Sequence, residues 1–419
     1  MTDREVRQSP SAKSAIFYGY IVVGTALCIM VAVFGTRYAF GVFFKPMQTH
    51  FGWTGATTSG AFSLSMALEG LLGIVMGGLT DKFGPRLVMT LCGFLLGVGY
   101  LLMSQISALW QLYLFYGVII GIGMGGTIIP LLSTVVRWFT DRRSTMSGIF
   151  LTGTGIGMLI GPPIANWLIF TYDWRMSYVI LGSIVLVVVI VAAQFLRRDP
   201  SQMGLAPYVE KGRKVQELEL WVDEFSLREA IYTRQFWVLF AMYFSFGFCF
   251  YAVVVHIVPH VTELGISAAT AANILATMGG LSIIGKVVLG NVADRIGNRQ
   301  VFIIGFVLMS IALFWLAPAK EVWMLYLFAA IFGLAYGACA SSESPLVARL
   351  FGLSSHGLIL GIMGLGFTGG AAVGPLLTDY IFDVNGSYQV AFFVLGAVGI
   401  FGLIFTILLT PTRAEWGKV

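Results

Sequence analysis

The 419-residue chain has 58% hydrophobic and only 11% charged residues, whereas soluble domains carry roughly 25% charged residues. This length would allow two or three soluble domains, but the charged residues are too few to form their solvent-exposed surfaces. We therefore expect most apolar surface to face lipid or other helices. The net charge of +5 comes from basic residues in short clusters between apolar runs. Because these clusters form no basic stripe, we expect no nucleic-acid partner.

Twelve apolar runs are long enough to cross a bilayer, since a helix needs about 20 residues to span ~30 Å of hydrocarbon. The predicted spans are 17–42, 56–79, 87–104, 109–136, 145–168, 175–196, 235–258, 268–292, 300–318, 322–347, 357–381 and 388–411. One long hydrophilic gap separates the sixth span from the seventh. The pattern predicts an all-α integral membrane fold with an N-terminal six-helix half at 1–196, a linker loop at 197–234 and a C-terminal six-helix half at 235–419.

Basic residues are distributed unevenly about these spans. Of the 25 Lys and Arg residues, twenty lie on the side of the two termini, three (Lys45, Arg175 and Lys320) lie on the opposite side, and two (Arg37 and Lys286) lie within spans. Lys and Arg accumulate on the cytoplasmic side of membrane proteins. We therefore expect a multi-pass protein of the cell (inner) membrane with both termini and the linker in the cytoplasm.

Two motifs recur at a single offset of 213 residues. The segment 77–86, with Asp81 and Arg86, follows the second span, and the segment 290–299, with Asp294 and Arg295, follows the eighth. A second pattern joins the fifth and eleventh spans at the same offset: Gly148, Gly157, Gly161 and Pro162, then Gly361, Gly370, Gly374 and Pro375. The shared offset predicts a duplicated six-helix unit. We expect these residues to serve gating and helix packing, because glycines permit close helix approach and prolines kink helices.

These motifs resemble the signatures of the major facilitator superfamily, and the resemblance covers nearly the whole chain. It implies the major facilitator fold and secondary transport of a small solute by alternating access. Within that superfamily, the segments 19–23 and 138–143 resemble signatures of the monocarboxylate transporter family. Together with the segment 37–44, they are similar to bacterial relatives of lactate and pyruvate carriers and of oxalate/formate exchangers.

Lys286 and Arg37 are the two basic residues within spans, where a charge costs roughly 2.5–3.5 kcal/mol on insertion scales. Lys286 lies too deep in the eighth span to reach the cytoplasmic surface, so it either binds a substrate carboxylate or pairs with a membrane acid. The family usually has Arg at the matching place, and the acid found one turn earlier in animal members is Ser282 here. Arg37, in the outer part of the first span, either extends to the interface or attracts substrate.

Further polar residues within spans are candidates for binding or proton transfer. Glu69 and Glu343 either carry protons or serve a structural role, and Glu343 could pair with Arg349. His256 either caps the seventh span or lies at the mouth of a central cavity, where it could protonate near pH 7. Our substrate-binding candidates are Lys286, Arg37, Tyr38, His256, Tyr336 and Asn273, and our proton-coupling candidates are Glu69, His256, Lys286 and Glu343.

The leading interpretation is a proton-coupled carrier of a short monocarboxylate such as lactate or pyruvate, because one fixed cation suits one carboxylate. The alternative is carboxylate exchange of the oxalate/formate type, in which Arg37 and Lys286 would bind a dianion together. Export of a larger amphipathic compound is a third possibility, against which the membrane cation argues. The sequence shows no nucleophile–base set, metal-ligand cluster or phosphate loop, so we expect neither an enzyme nor a cofactor.

Overall fold

The computed structural model describes residues 17–53, 55–206 and 224–409, which contain helices and no β-strand. Twelve helices in these ranges are long and apolar enough to cross a membrane, which confirms the predicted number of spans. In chain order they are Tyr18–Tyr38, Gly55–Phe83, Pro85–Met103, Leu109–Trp138, Arg143–Thr171, Trp174–Ala193, Arg234–Glu263, Ala268–Ile296, Asn298–Leu316, Val322–Phe351, His356–Asn385 and Tyr388–Leu408.

The structure differs from the predicted boundaries at the first span. The predicted run 17–42 crosses a break, because the first helix ends at Tyr38 and a separate helix, Phe40–Phe51, continues after Ala39. Hydropathy does not register this break, since the residues on both sides of it are apolar. The fifth and eleventh helices, by contrast, continue through Pro162 and Pro375.

The packing of the spans repeats after six helices. In the first six, span 1 packs on span 5 and span 3 on span 6; in the last six, span 7 packs on span 11 and span 9 on span 12. The two sets meet chiefly where span 2 packs on span 11 and span 5 on span 8. Spans 2 and 5 of the first set thus correspond to spans 8 and 11 of the second, so the interface has pseudo-twofold symmetry.

The glycines of the repeated pattern lie at close helix crossings. A side chain at Gly157 or Gly161 would overlap the backbone of Gly35 in the first span. Side chains at Gly370 or Gly374 would overlap the seventh span at Phe244 and Phe248, the equivalent crossing in the second set. The predicted packing role of these glycines agrees with this geometry.

We expect Gly161→Ala to destabilise the protein by about 1–3 kcal/mol, the usual cost of overpacking a tight crossing. The added methyl group has no space beside the Gly35 backbone, so the first and fifth spans must separate. Thermal unfolding of the detergent-solubilised protein measures the effect. Gly24→Ala is the matched control, because a methyl group there meets nothing within 4 Å; equal melting temperatures for the two variants would contradict the prediction.

Candidate functional site

Arg37 and Glu69 form an ion pair between the first and second spans. The Arg37 guanidinium donates to the Glu69 carboxylate and to Met66 Sδ. Arg37 is only 6% exposed, and the central carbon of its guanidinium lies 5.9 Å from the centre of the Phe34 ring and 5.7 Å from that of the Phe62 ring. The sequence indicates no link between these two residues, whereas the fold joins a substrate candidate, Arg37, to a proton-coupling candidate, Glu69.

Lys286 occupies the interface between the two sets of spans and is 3% exposed. Its ammonium nitrogen Nζ donates to Thr154 Oγ1 in the fifth span at 3.3 Å. The same nitrogen lies 5.3 Å from the centre of the Tyr336 ring in the tenth span. Both of these neighbours are neutral, so at close range the positive charge of Lys286 is solvated but not cancelled.

Glu343 lies in the tenth span and interacts electrostatically with Lys286. The pairing with Arg349 that the sequence suggested as an alternative is replaced by this interaction, and the Arg349 guanidinium instead approaches the turn at Gly297. The fold therefore brings one proton-coupling candidate to the principal substrate candidate.

Tyrosines from both sets of spans surround the space between Arg37 and Lys286. Tyr38 is 40% exposed, although it interacts electrostatically with Tyr251 of the seventh span and Tyr336 of the tenth. Because its side chain is exposed and yet interacts with groups of the other set, Tyr38 lies where the two sets of spans face each other. Tyr251 was missed in the sequence, because a tyrosine inside an aromatic-rich apolar run carries no distinguishing local signal.

The two other polar candidates, His256 and Asn273, differ in burial. His256 is buried, with Nδ1 2.9 Å from the Ala252 carbonyl oxygen and its ring 5.5 Å from the ring of Tyr388 in the twelfth span. Asn273 is exposed and lies thirteen residues before Lys286, which is about 20 Å along a helix. Their roles stay predictions.

Both copies of the aspartate motif connect the two sets of spans on the side of the termini. Asp81 accepts hydrogen bonds from Arg137 at 2.9 Å and from the backbone N–H of Leu358 at 3.0 Å. Asp294 accepts from the backbone N–H groups of Ser144 and Thr145, each at 2.8 Å. Each aspartate thus lies at the N-terminus of a helix of the other set, where unpaired N–H groups and the helix dipole favour an anion.

The arginines of the same motifs do not join these contacts. Arg86 donates to Gln194 Oε1 of the sixth span at 2.8 Å, within its own set of spans. Arg295 is exposed. The basic partner of Asp81 is instead Arg137, at the end of the fourth span, which the spacing of the motif did not predict.

The end of the linker reinforces the contact at Asp81. The Glu224 carboxylate accepts from the backbone N–H groups of Leu353 and Ser354, and the Leu353 carbonyl accepts from Arg137. The linker continues into a short helix capped by Ser226, whose hydrogen bonds hold the pKa of the Glu229 carboxyl below its usual range. Residues 207–223 of the predicted linker lie outside the described residues.

We expect Glu224→Gln to weaken closure on the side of the termini, because a neutral amide binds two N–H groups less strongly than a carboxylate does. Spin labels at exposed Lys82 and Gln300 in a cysteine-free background measure the separation of the two sets. The distance distribution should shift toward longer values. Glu321→Gln is the control, since Glu321 makes no side-chain capping bond; identical distributions for both variants would argue against a role for Glu224.

Comparison with known proteins places the chain in a family. The Major Facilitator Superfamily model matches residues 26–285 and 254–418. Monocarboxylate transporter 13 of Rattus norvegicus is 29% identical over 91% of this chain and 86% of its own length. The oxalate:formate antiporter of Oxalobacter formigenes is 25% identical over 81% of this chain and 79% of its own length.

The solved structures show the same fold. The proton:xylose symporter XylE superposes with a TM-score of 0.72 at 14% identity, covering 93% of this chain and 95% of that one. Among the described residues, no group of three or more His, Cys, Asp or Glu side chains could hold a metal ion. The twelve spans, the repeated packing and these matches lead to one conclusion: the chain belongs to the Major Facilitator Superfamily, as a membrane transporter and not an enzyme, related to monocarboxylate transporters and to the oxalate:formate antiporter.

Proposed function

We propose that this transporter carries small monocarboxylates of the lactate and pyruvate type together with protons. The observation that carries the proposal is the environment of Lys286, a cation between the two sets of spans whose close neighbours, Thr154 and Tyr336, are neutral. A buried ammonium of this kind favours an anion that approaches through the cavity. The relation to monocarboxylate transporters supports the same substrate class.

Arg37 contributes little additional positive charge to this site. Its guanidinium is paired with Glu69, so the Arg37–Glu69 pair is close to neutral as a unit. A dianion that needed both cations would have to separate this pair first. The charge arrangement therefore favours binding of one carboxylate by Lys286. It disfavours the exchange hypothesis, in which Arg37 and Lys286 would bind a dianion together.

Glu343 is our proposed proton site. While Glu343 is ionised it offsets the charge of Lys286, with which it interacts electrostatically. Protonation of Glu343 removes that offset and leaves the full positive charge available to a carboxylate, so proton and anion favour each other's binding. Glu69 is less suitable, because protonating it would leave Arg37 buried without its anion.

Transport would proceed by alternating access, with the half at 1–196 rocking against the half at 235–419. The contacts of Asp81 and Asp294 close the interface on the side of the termini, and Tyr38 is half-exposed where the two sets face each other. With both termini in the cytoplasm of an inner membrane, as the distribution of basic residues favours, this conformation faces outward.

Uptake of radiolabelled lactate into proteoliposomes tests the proposal. After the background of protein-free liposomes is subtracted, we expect an inward proton gradient to raise uptake several-fold over uptake without a gradient. An ionophore that dissipates the gradient should remove this stimulation. Uptake that does not depend on the gradient but requires oxalate or formate inside the liposomes would instead support exchange, the activity named for the Oxalobacter formigenes relative. The absence of uptake for every small carboxylate would overturn the proposed substrate class.

A further inference from the structure

Thr154 and Lys286 face each other across the interface at a place where the two helices are in close contact. A side chain at Gly148 would overlap the Lys286 carbonyl, and a side chain at Gly155 would meet Ile283. The fifth and eighth spans are therefore in direct contact next to the Thr154–Lys286 hydrogen bond. This bond joins one set of spans to the other at the candidate substrate site.

The Thr154 hydroxyl is oriented by its own helix. Thr154 Oγ1 donates its proton to the Leu151 carbonyl at 2.8 Å. A hydroxyl has one proton to donate and two lone pairs, so only lone pairs remain to face the Lys286 ammonium at 3.3 Å. Thr154 is thus a fixed, neutral acceptor that attracts the ammonium without neutralising its charge.

We propose that Thr154 is a positioning residue, which holds the Lys286 ammonium in the orientation that binds the substrate carboxylate. An ammonium has three N–H donors; one is directed to Thr154 and the Tyr336 ring covers another side, so the substrate anion would accept from a remaining N–H donor. Because the bond spans the interface, it holds the Lys286 ammonium in this orientation only while the fifth and eighth spans are in contact. This inference rests on the proposed function.

The test compares three variants for their lactate uptake kinetics in proteoliposomes. Thr154→Val keeps the shape and removes the acceptor, and we expect it to raise KM about tenfold with little change in maximal rate, as for loss of one hydrogen bond to a charged group. Thr154→Ser restores the hydroxyl and should return KM to within about twofold of wild type. Thr152→Val is the matched control, because Thr152 makes the same bond to its own helix, to the Ile149 carbonyl at 2.6 Å.

The possible outcomes separate the inference from the proposed function. An unchanged KM in Thr154→Val, a failure of Thr154→Ser to restore it, or an equal rise in Thr152→Val would overturn the positioning role alone. An absence of carboxylate uptake by the wild type would overturn both. If Thr154→Val does not fold, Thr154→Ala replaces it in the same comparison, with melting temperature as the check on folding.

Discussion

Replacing Lys286 with alanine is expected to lower lactate uptake at least 100-fold. The variant removes a buried cation whose close neighbours are neutral, and truncating one partner of a buried charge pair, here Lys286 with the substrate carboxylate, costs about 2–5 kcal/mol. The effect is larger than the sum of lost contacts, because Glu343 is then left inside the membrane without its electrostatic partner. Initial rates of uptake in proteoliposomes measure the loss.

One further variant shows whether charge or size matters at position 286, and a variant at another position serves as the control. Lys286→Arg keeps the charge, but its larger head must fit beside the fifth span, so we expect it to retain a reduced rate. Lys320→Ala, which removes an exposed lysine between the ninth and tenth spans, should leave uptake unchanged. If Lys286→Ala is stable and transports at the wild-type rate, Lys286 is not the carboxylate anchor.

Replacing one member of the Arg37–Glu69 ion pair is expected to destabilise the protein by about 3–5 kcal/mol, because the remaining charge stays buried without an opposite charge. Arg37→Met and Glu69→Met should each lower the melting temperature strongly in detergent. The double variant Arg37→Met/Glu69→Met should be closer to wild type than either single variant, because it removes both charges and replaces them with apolar groups. A double-mutant cycle on unfolding measures the coupling.

The same variants also test the role of Arg37 in substrate binding. If Arg37 serves the structure through Glu69, the double variant should carry lactate with a KM near that of wild type. A stable double variant that has lost uptake would show that Arg37 or Glu69 serves transport directly, and would reopen the two-cation arrangement of the exchange hypothesis. Additive single effects on stability would show that the two residues are not coupled.

Several features of this protein follow from local properties of the chain. A span is recognised from about 20 apolar residues in succession, so the twelve helices could be predicted to within a few residues. The repeat is visible because Asp81 and Asp294 keep the same offset as the glycine pattern. Lys286 and Arg37 could be singled out because charge within an apolar run is costly and therefore rare.

The partners of these residues were decided only by the tertiary structure. Arg37 lies 32 positions from Glu69, and Lys286 lies 132 positions from Thr154. A helix in a membrane is apolar both toward lipid and toward its neighbours, so hydropathy does not reveal which face of it meets which helix. The contact of the His256 ring with Tyr388 of the twelfth span is likewise absent from any local pattern. The sequence by itself therefore determined the spans, the repeat and the buried charges, whereas helix rotation and packing determined that Arg37 is paired and that Lys286 has neutral close neighbours.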